Sequence, residues 1–362
     1  MHYIIFHSDF SKRAGTERAL FNLIEHLLTK ENVFVTLLLG SEEKQTTFEF
    51  DRSKINIVFL KCKDRKENKL GLLTYYVDLF NKTRKYLRKL ESDLDYTVIC
   101  SNHLLAFCAY YACRGQTNVR IISCEHFSFH VAGKFSKYLR KLFYQHIVVV
   151  VLTEGDRLQI ANLFNPKITV CIPNASPFLP EPYSGYGSKK ILAIGRLTYQ
   201  KGFDLLIDAF MLISPKYPEW TLNIIGDDYG DKSKLIQKIS NYNISNVRLL
   251  SSTSNIEEVY KTSEFYVMSS RFEGLPMVLL EAMSFGLPLV SFDCPTGPRE
   301  VIDNTNGILV EDGNISELAL AMERMIVDDN LRKYFADGSE QKVLHYSKEK
   351  IGIMWDDLID NI

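Results

Sequence analysis

Phe265-Tyr266-Val267-Met268-Ser269-Ser270-Arg271-Phe272-Glu273-Gly274-Leu275-Pro276-Met277-Val278-Leu279-Leu280-Glu281 is the stretch from which the rest of this 362-residue chain can be read. Phe265–Met268 is a short apolar run of the kind a buried parallel strand needs, and 269–274 has the chemistry of a loop. Pro276 suits a first helical residue, where a missing N–H costs nothing. A helix then runs through Met283. Its first turn leaves backbone N–H groups unpaired, which together with the helix dipole suits an anion such as a diphosphate. Glu281 lies about 8 Å further along the axis at ~1.5 Å per residue, where a carboxylate can accept from the two vicinal hydroxyls of a ribose. Glu273, ahead of the helix, faces different hydroxyls. The same spacing also describes a solvated loop residue and a helix-surface residue, and on spacing alone both readings stand.

Outward from this stretch, the second half repeats the pattern. Apolar runs at Lys190–Ile194, Thr221–Ile225, Val247–Leu250, Phe265–Met268, Leu287–Ser291 and Gly307–Val310 alternate with helical stretches. The first half does the same from Tyr3–Phe6 through Ile168–Ile172, and Leu20, Leu23, Ile24, Leu27 and Leu28 between its first two runs recur at helical spacing. Strands alternating with helices predict parallel, doubly wound sheets. Residues 173–188 hold four prolines and two glycines in sixteen positions and read as a linker. The expected organisation is therefore α/β in two Rossmann-like domains. The first spans 1–175, the linker 176–188 and the second 189–346, with a last helix in 347–362 that is placed to cross back to the first domain. Ligands of such sheets bind at the carboxyl ends of the strands, here in a cleft between domains.

Composition narrows the function. A hydrophobic share of 46% marks a globular chain, and no apolar stretch approaches the ~18 residues of a membrane span. The N-terminal Met-His-Tyr-Ile-Ile-Phe-His reads as a strand, not a signal peptide. Seven cysteines, odd in number and without a Cys-x-x-Cys pair, fit a reducing compartment, so a cytoplasmic location is expected. The net charge of −1 is unevenly spread, residues 1–175 carrying +8 and the remainder −9. A basic half suggests an anionic partner that the second half does not touch.

Several loops at strand ends carry chemistry. Gly195-Arg196 follows the first strand of the second half, with Lys201-Gly202 just before a helix. Arg grips a diphosphate bidentately and Lys adds a point charge, although a plain polar loop reads the same way. Gly15-Thr16-Glu17-Arg18 opens the first helix, either as a close-approach site for a ligand or as an ordinary helix start. Glu125-His126 follows another strand. A histidine there donates to a sugar hydroxyl or phosphate, with His103 and His130 as alternatives. Residues 226–233 resemble a phosphate-binding P-loop but miss its spacing by one residue, and their carboxylates Asp227 and Asp228 read as a loop, not a metal centre. No Gly-x-Gly-x-x-Gly follows a strand, so neither a nicotinamide nor a flavin cofactor is expected. Two basic stretches lie in the first half. Lys61–Lys89 holds ten Lys or Arg against three acids, and Lys134–Tyr144 interleaves Lys134, Lys137, Arg140 and Lys141 with aromatics. A basic, aromatic helix suits an anionic membrane surface, or else packs its aromatics on its own sheet. No nucleic-acid motif accompanies it.

As a set, Gly195-Arg196-Leu197, Lys201-Gly202, Ser269–Pro276, Glu281-Ala282-Met283 and Gly286–Val290 resemble the retaining glycosyltransferases of family four, which have the GT-B fold. The resemblance extends over nearly the whole chain. It implies that Arg196 and Lys201 bind the donor diphosphate and Glu281 the ribose, with Val247–Ser252 flanking the base. It implies that Glu273 and the backbone of Gly274, Leu275, Pro276 and Met277 hold the transferred sugar. His126 would stand by that sugar, and Gly15 would make backbone contacts near the phosphate or acceptor. Such enzymes need no divalent metal and no enzymic nucleophile, the leaving phosphate helping to deprotonate the acceptor. Residues 294–300 and 125–128 look like members that extend bacterial surface polysaccharides, such as O-antigen and lipopolysaccharide, or lipid-linked oligosaccharides. The expectation is a peripheral enzyme of the inner membrane's cytoplasmic face that moves a hexose or N-acetylhexosamine from a UDP-sugar to a polyprenyl-diphosphate-linked acceptor. A non-hydrolysing UDP-sugar 2-epimerase and a non-catalytic sugar-nucleotide-binding protein are the rival readings.

Overall fold

In the computed structural model, the described residues are 1–11, 15–42, 46, 48–51, 53–62, 69–126, 129 and 132–362, with the side chains of 69, 70, 72 and 73 outside the description. Parts of the basic stretch 61–89, together with Phe127, Ser128 and His130, thus fall outside the described residues. The chain forms two compact units, residues 1–173 with 352–362, and residues 174–351.

The first unit runs β1 (His2–His7), α1 (Gly15–Leu27), β2 (Phe34–Leu39), β3 (Ile55–Phe59), α2 (Lys69–Leu87), β4 (Tyr96–Cys100), α3 (His103–Ala112), β5 (Val119–Glu125), α4 (Lys134–Phe143), β6 (Val148–Val151), α5 (Glu154–Phe164) and β7 (Ile168–Cys171). Its strands form one parallel sheet in the order β3-β2-β1-β4-β5-β6-β7. The central strands are apolar on both faces, as β6 with its four buried valines illustrates, because helices cover the sheet from both sides. Asn102 caps α3, its Oδ1 accepting from the backbone of Leu104 and Leu105.

The second unit runs β8 (Lys190–Ile194), α6 (Phe203–Ile213), β9 (Thr221–Ile225), α7 (Lys232–Tyr242), β10 (Val247–Leu250), α8 (Ile256–Lys261), β11 (Phe265–Met268), α9 (Met277–Ser284), β12 (Leu289–Phe292), α10 (Pro298–Val301), β13 (Gly307–Val310), α11 (Ile315–Val327) and α12 (Asp329–Val343). Its parallel sheet has the order β10-β9-β8-β11-β12-β13. The strand order reverses between β8 and β11, which makes their carboxyl ends the place where a ligand crevice opens. The core beneath is dense in large apolar side chains, among them Phe203, Phe210, Trp220 and Phe265.

Three expectations are corrected. Residues 176–188 are not a free linker. Tyr183 is buried, its hydroxyl donates to the carbonyl of Glu264 at 2.8 Å and its backbone N–H to Glu340 at 2.8 Å, so the proline-rich segment is a strap packed into the second unit. Pro276 is the residue before α9, not its first, with an extended ψ of 104°. Its missing N–H is as harmless there as inside the first turn. The second unit also continues past 346 to Ile351, within the last helix α13 (Lys348–Asp360), whose remainder from Gly352 belongs to the first unit. There Asp356 pairs with His26 at 2.9 Å and Lys30 at 2.5 Å. A Cβ on Gly352 would stand 2.4 Å from the His26 ring, so this close approach needs glycine. Among the described residues no helix is long and apolar enough to cross a membrane.

Candidate active site

The turns after β8 and β11 bring several of the charged residues singled out by sequence together. The turn after β8 carries Gly195, Arg196 and, in a 3-10 turn at Tyr199–Lys201, Lys201. The turn after β11 carries Ser269, Ser270, Arg271 and Glu273. Neighbouring strands bring the two turns together and hydrogen bonds join them. Arg271 N donates to Gln200 O at 2.8 Å, Gln200 Nε2 to Phe272 O at 3.1 Å and Ser269 Oγ to Lys201 O at 3.0 Å. Gly202 makes this fit possible, having φ +62° and room for no Cβ, which would lie 2.0 Å from Ser269 O.

Within this frame Lys201 Nζ donates to Glu273 Oε1 at 2.7 Å and Ser270 Oγ donates to the same oxygen at 2.7 Å. Both side chains of the ion pair are nearly buried, with 14% and 10% exposure. The second carboxylate oxygen of Glu273 accepts nothing from the described residues. The backbone of Glu273 is fixed as well, donating to Pro295 O at 2.9 Å and accepting from Thr296 N at 3.0 Å. Gly297 lies so close to this turn that a Cβ would stand 1.7 Å from Gly274 O.

Next in line, α9 starts at Met277 with no side chain capping it, so its first-turn N–H groups face forward from Gly274, Leu275 and Pro276. Glu281, one turn into this helix, has its Oε2 bonded by the hydroxyl of Tyr260 at 2.8 Å, and Tyr260 itself is wholly buried. Arg196 is exposed and lies over the ring of Tyr229, 5.6 Å from its centroid. Asp227 Oδ1 accepts from Ser252 N and Oγ and so joins the loops after β9 and β10, while Asp228 Oδ1 accepts from Gly230 N and Lys232 N and ties down its own loop. Arg196, Lys201, Glu273, 274–277 and Glu281 thus lie on the turns and helix at one end of one sheet. Two further residues of this site gain no role from sequence: Ser270 lies within the Ser269–Pro276 motif without a function of its own, and Tyr260 carries no signal beyond a polar group in an amphipathic helix.

His126 and Gly15 belong to the first unit. Gly15 is the exposed first residue of α1, and residues 12–14 before it lie outside the described residues. His126 follows β5, with both ring nitrogens buried and without a hydrogen-bond partner among the described residues. Burial foremost, with His7 beside it, pushes its pKa down to about 4, so the ring is neutral and offers one donor and one acceptor. Beside it Glu125 is buried and held by Arg140 through two bonds, 3.2 and 2.7 Å, and by the hydroxyl of Tyr144. Burial works against its negative charge, yet Arg140 and its neighbours keep its pKa below the usual range.

Arg140 overturns one expectation. Placed by sequence on the basic, lipid-facing side of α4, it is 3% exposed and points inward, because the carboxylate of Glu125 needs a counter-charge in the interior. The outward face of α4 is instead Phe135, Tyr138 and Leu142, exposed by 72%, 60% and 38%, with Lys134 and Lys141 alongside.

Known proteins share this architecture and parts of this sequence. Residues 182–342 match the family described as glycosyl transferases group 1. Over 253 residues the chain is 34% identical to the amylovoran biosynthesis glycosyltransferase AmsD of Erwinia amylovora, covering 67% of this chain and 70% of that one. Over 357 residues it is 29% identical to an uncharacterised glycosyltransferase of Haemophilus influenzae, covering 96% of both. Among solved structures, Anabaena Alr3699/HepE in complex with UDP superposes with a TM-score of 0.82 at 16% identity, covering 100% of both chains. The lipopolysaccharide outer core galactosyltransferase WaaB in its apo form gives 0.77 at 22% identity, covering 100% of this chain and 99% of that one.

Proposed function

This chain belongs to the group 1 glycosyl transferases and has the GT-B fold, and on that premise we propose that it transfers a hexose or N-acetylhexosamine, with retention, from a UDP-sugar to a hydroxyl of a polyprenyl-diphosphate-linked bacterial polysaccharide, O-antigen or related oligosaccharide. The observation that carries this reading is the Lys201–Glu273–Ser270 cluster at the β8/β11 reversal, directly ahead of the uncapped α9. Arg196, Lys201 and the N-terminus of α9 receive the diphosphate, and Glu281 takes the ribose hydroxyls. The 34% identity to an amylovoran glycosyltransferase supports a polysaccharide acceptor, and the UDP in the Anabaena structure supports uridine as the nucleoside.

The chemistry follows from charge. As the bond from the anomeric carbon to the phosphate oxygen breaks, negative charge grows on the nucleoside diphosphate and positive charge on the sugar. Arg196, Lys201 and the helix dipole meet the first, so we assign no divalent metal to the step, and the carboxylate of Glu273 meets the second. The acceptor oxygen bonds to the anomeric carbon from the same face, and its proton passes to the departing phosphate.

Thermal melting against UDP-glucose, UDP-galactose, their N-acetyl forms and GDP-mannose tests the donor site. A ligand at 100 times its Kd stabilises by about 2.7 kcal/mol, so one UDP-sugar should raise the midpoint by several degrees and yield UDP only when an acceptor is present, with the product anomer unchanged by NMR. Conversion of the donor without any acceptor would assign a 2-epimerase instead, and no shift with any of the five would end the transferase reading.

For the membrane we assign the outward face of α4. Phe135, Tyr138 and Leu142 supply the apolar contact, and each flanking lysine adds about 1 kcal/mol near an anionic surface. In co-sedimentation with phosphatidylglycerol vesicles at low salt, Phe135→Ser with Tyr138→Ser should lower binding at least several-fold. Equal binding by wild type and variant would remove α4 from the interface.

A further inference from the structure

The first unit holds a cavity of about 280 Å³ that shares only His126 with the residues expected at the donor. It opens between α2, α3, α4 and the end of β5, and Tyr75, Tyr76, His103, His126, Ser136 and Arg140 contribute to its wall. Its size is near the lower bound of small-molecule clefts, and its lining is mostly apolar and aromatic with a few convergent polar groups.

Those polar groups have a definite pattern. Arg140 is the cation that the described residues give the wall, and it is spent on Glu125 through a bidentate pair. A further N–H of Arg140 donates to His103 Nδ1 at 3.0 Å, which assigns the imidazole proton to Nε2 and directs it to Ser136 Oγ at 2.8 Å. Ser136 Oγ also receives a bond from Arg140 Nη1. Accepting twice, it keeps its own hydroxyl proton for a third partner. Close by, His126 presents two buried ring nitrogens that no described residue satisfies. Among the described residues the wall therefore offers hydroxyl and imidazole donors and acceptors, an aromatic pair in Tyr75 and Tyr76 at 5.3 Å, and one cation cancelled by one carboxylate.

We propose that this cavity seats an uncharged pyranose of the acceptor glycan, and that the Glu125–Arg140 pair acts as a specificity device by cancelling the charge that would otherwise recruit a phosphate or a uronic acid. A sugar hydroxyl both donates and accepts, which matches Ser136 and His126 together, whereas an anion needs a cation to spare. Cancelling Arg140 by a buried carboxylate is costly to build, since both ions lose their hydration. An apolar residue at Glu125 would leave a cationic pocket, and a neutral pocket is what the pair secures. This inference rests on the glycosyltransferase reading for the word acceptor, but not for the binding event.

Saturation-transfer NMR on the full chain, without nucleotide sugar, tests it with methyl β-glucopyranoside, methyl β-galactopyranoside and methyl β-glucuronide. Transfer is expected to at least one neutral glycoside and not to the glucuronide. Ser136→Val should abolish it, and Glu125→Gln, which frees the charge of Arg140, should shift preference toward the glucuronide at least tenfold. If Glu125→Gln does not fold, as judged by its melting transition, Ser136→Val alone decides. Equal signals from neutral and anionic glycosides, no signal from any, or an unaltered Ser136→Val variant would each overturn the proposal. Neutral-glycoside binding in a protein that no nucleotide sugar stabilises would overturn the transferase reading and leave the pocket standing.

Discussion

Glu273→Gln is expected to lower the transfer rate by roughly a hundredfold or more, the scale on which loss of one preorganised electrostatic group is felt, while the KM for the donor stays level or falls. The split follows from geometry. Glutamine keeps the shape and still accepts from Ser270, so the turn after β11 persists, but the charge we assign to the sugar is gone. Lys201, released from its 2.7 Å partner, has only the diphosphate to neutralise. Its long stem lets the ammonium reach solvent in the free enzyme, so a cooperative melting transition should be retained. Steady-state kinetics with the donor found by thermal screening gives both numbers. A variant with wild-type kcat would remove Glu273 from the chemistry, and one with a raised KM and normal kcat would make it a binding residue only.

Glu281→Ala should act on the other parameter. A hydrogen bond to a charged group contributes about 1.5–3 kcal/mol, so loss of the ribose contact should weaken nucleotide binding by roughly ten- to a hundredfold, measured by calorimetry with UDP. Tyr260→Phe serves as the graded companion. It removes the hydroxyl that holds Glu281 Oε2 at 2.8 Å without touching the carboxylate, and a weakening of a few-fold is expected. If Glu281→Ala binds UDP as the wild type does, the ribose assignment fails. If Tyr260→Phe alone is silent, Glu281 is oriented by other contacts.

Much of the fold is legible in the order of residues alone. Phe265–Met268 reads as a strand and is one, and the helix after Pro276 starts one residue later than its composition suggests. The two-sheet organisation follows from runs such as Val148–Val151 and Phe265–Met268, because a strand covered on both faces is apolar throughout. The segment 173–188 departs from its linker-like composition because prolines and glycines report local backbone preference. They are silent on Tyr183, whose burial is decided by Glu264 and Glu340, 81 and 157 residues away. Arg140 departs for a related reason. Helical spacing places it among lysines and aromatics, but the buried carboxylate that draws it inward belongs to a strand fifteen residues earlier.

Two kinds of information therefore separate cleanly. Strand and helix periodicity, turn composition and the motif set around Gly195, Lys201, Glu273 and Glu281 are local properties of the chain. From them come the α/β class, the two sheets and the residues that carry charge at strand ends. The pairing of those charges is not local. That Lys201 and Ser270 share one oxygen of Glu273, that Tyr260 aims Glu281, and that Arg140 is consumed by Glu125 depends on which strands lie side by side. Strand order is set by crossovers and core packing summed over the whole sheet, and it takes the assembled fold to bring Lys201 and Glu273, 72 residues apart, or Tyr260 and Glu281, 21 apart, within the ~3 Å at which a hydrogen bond forms.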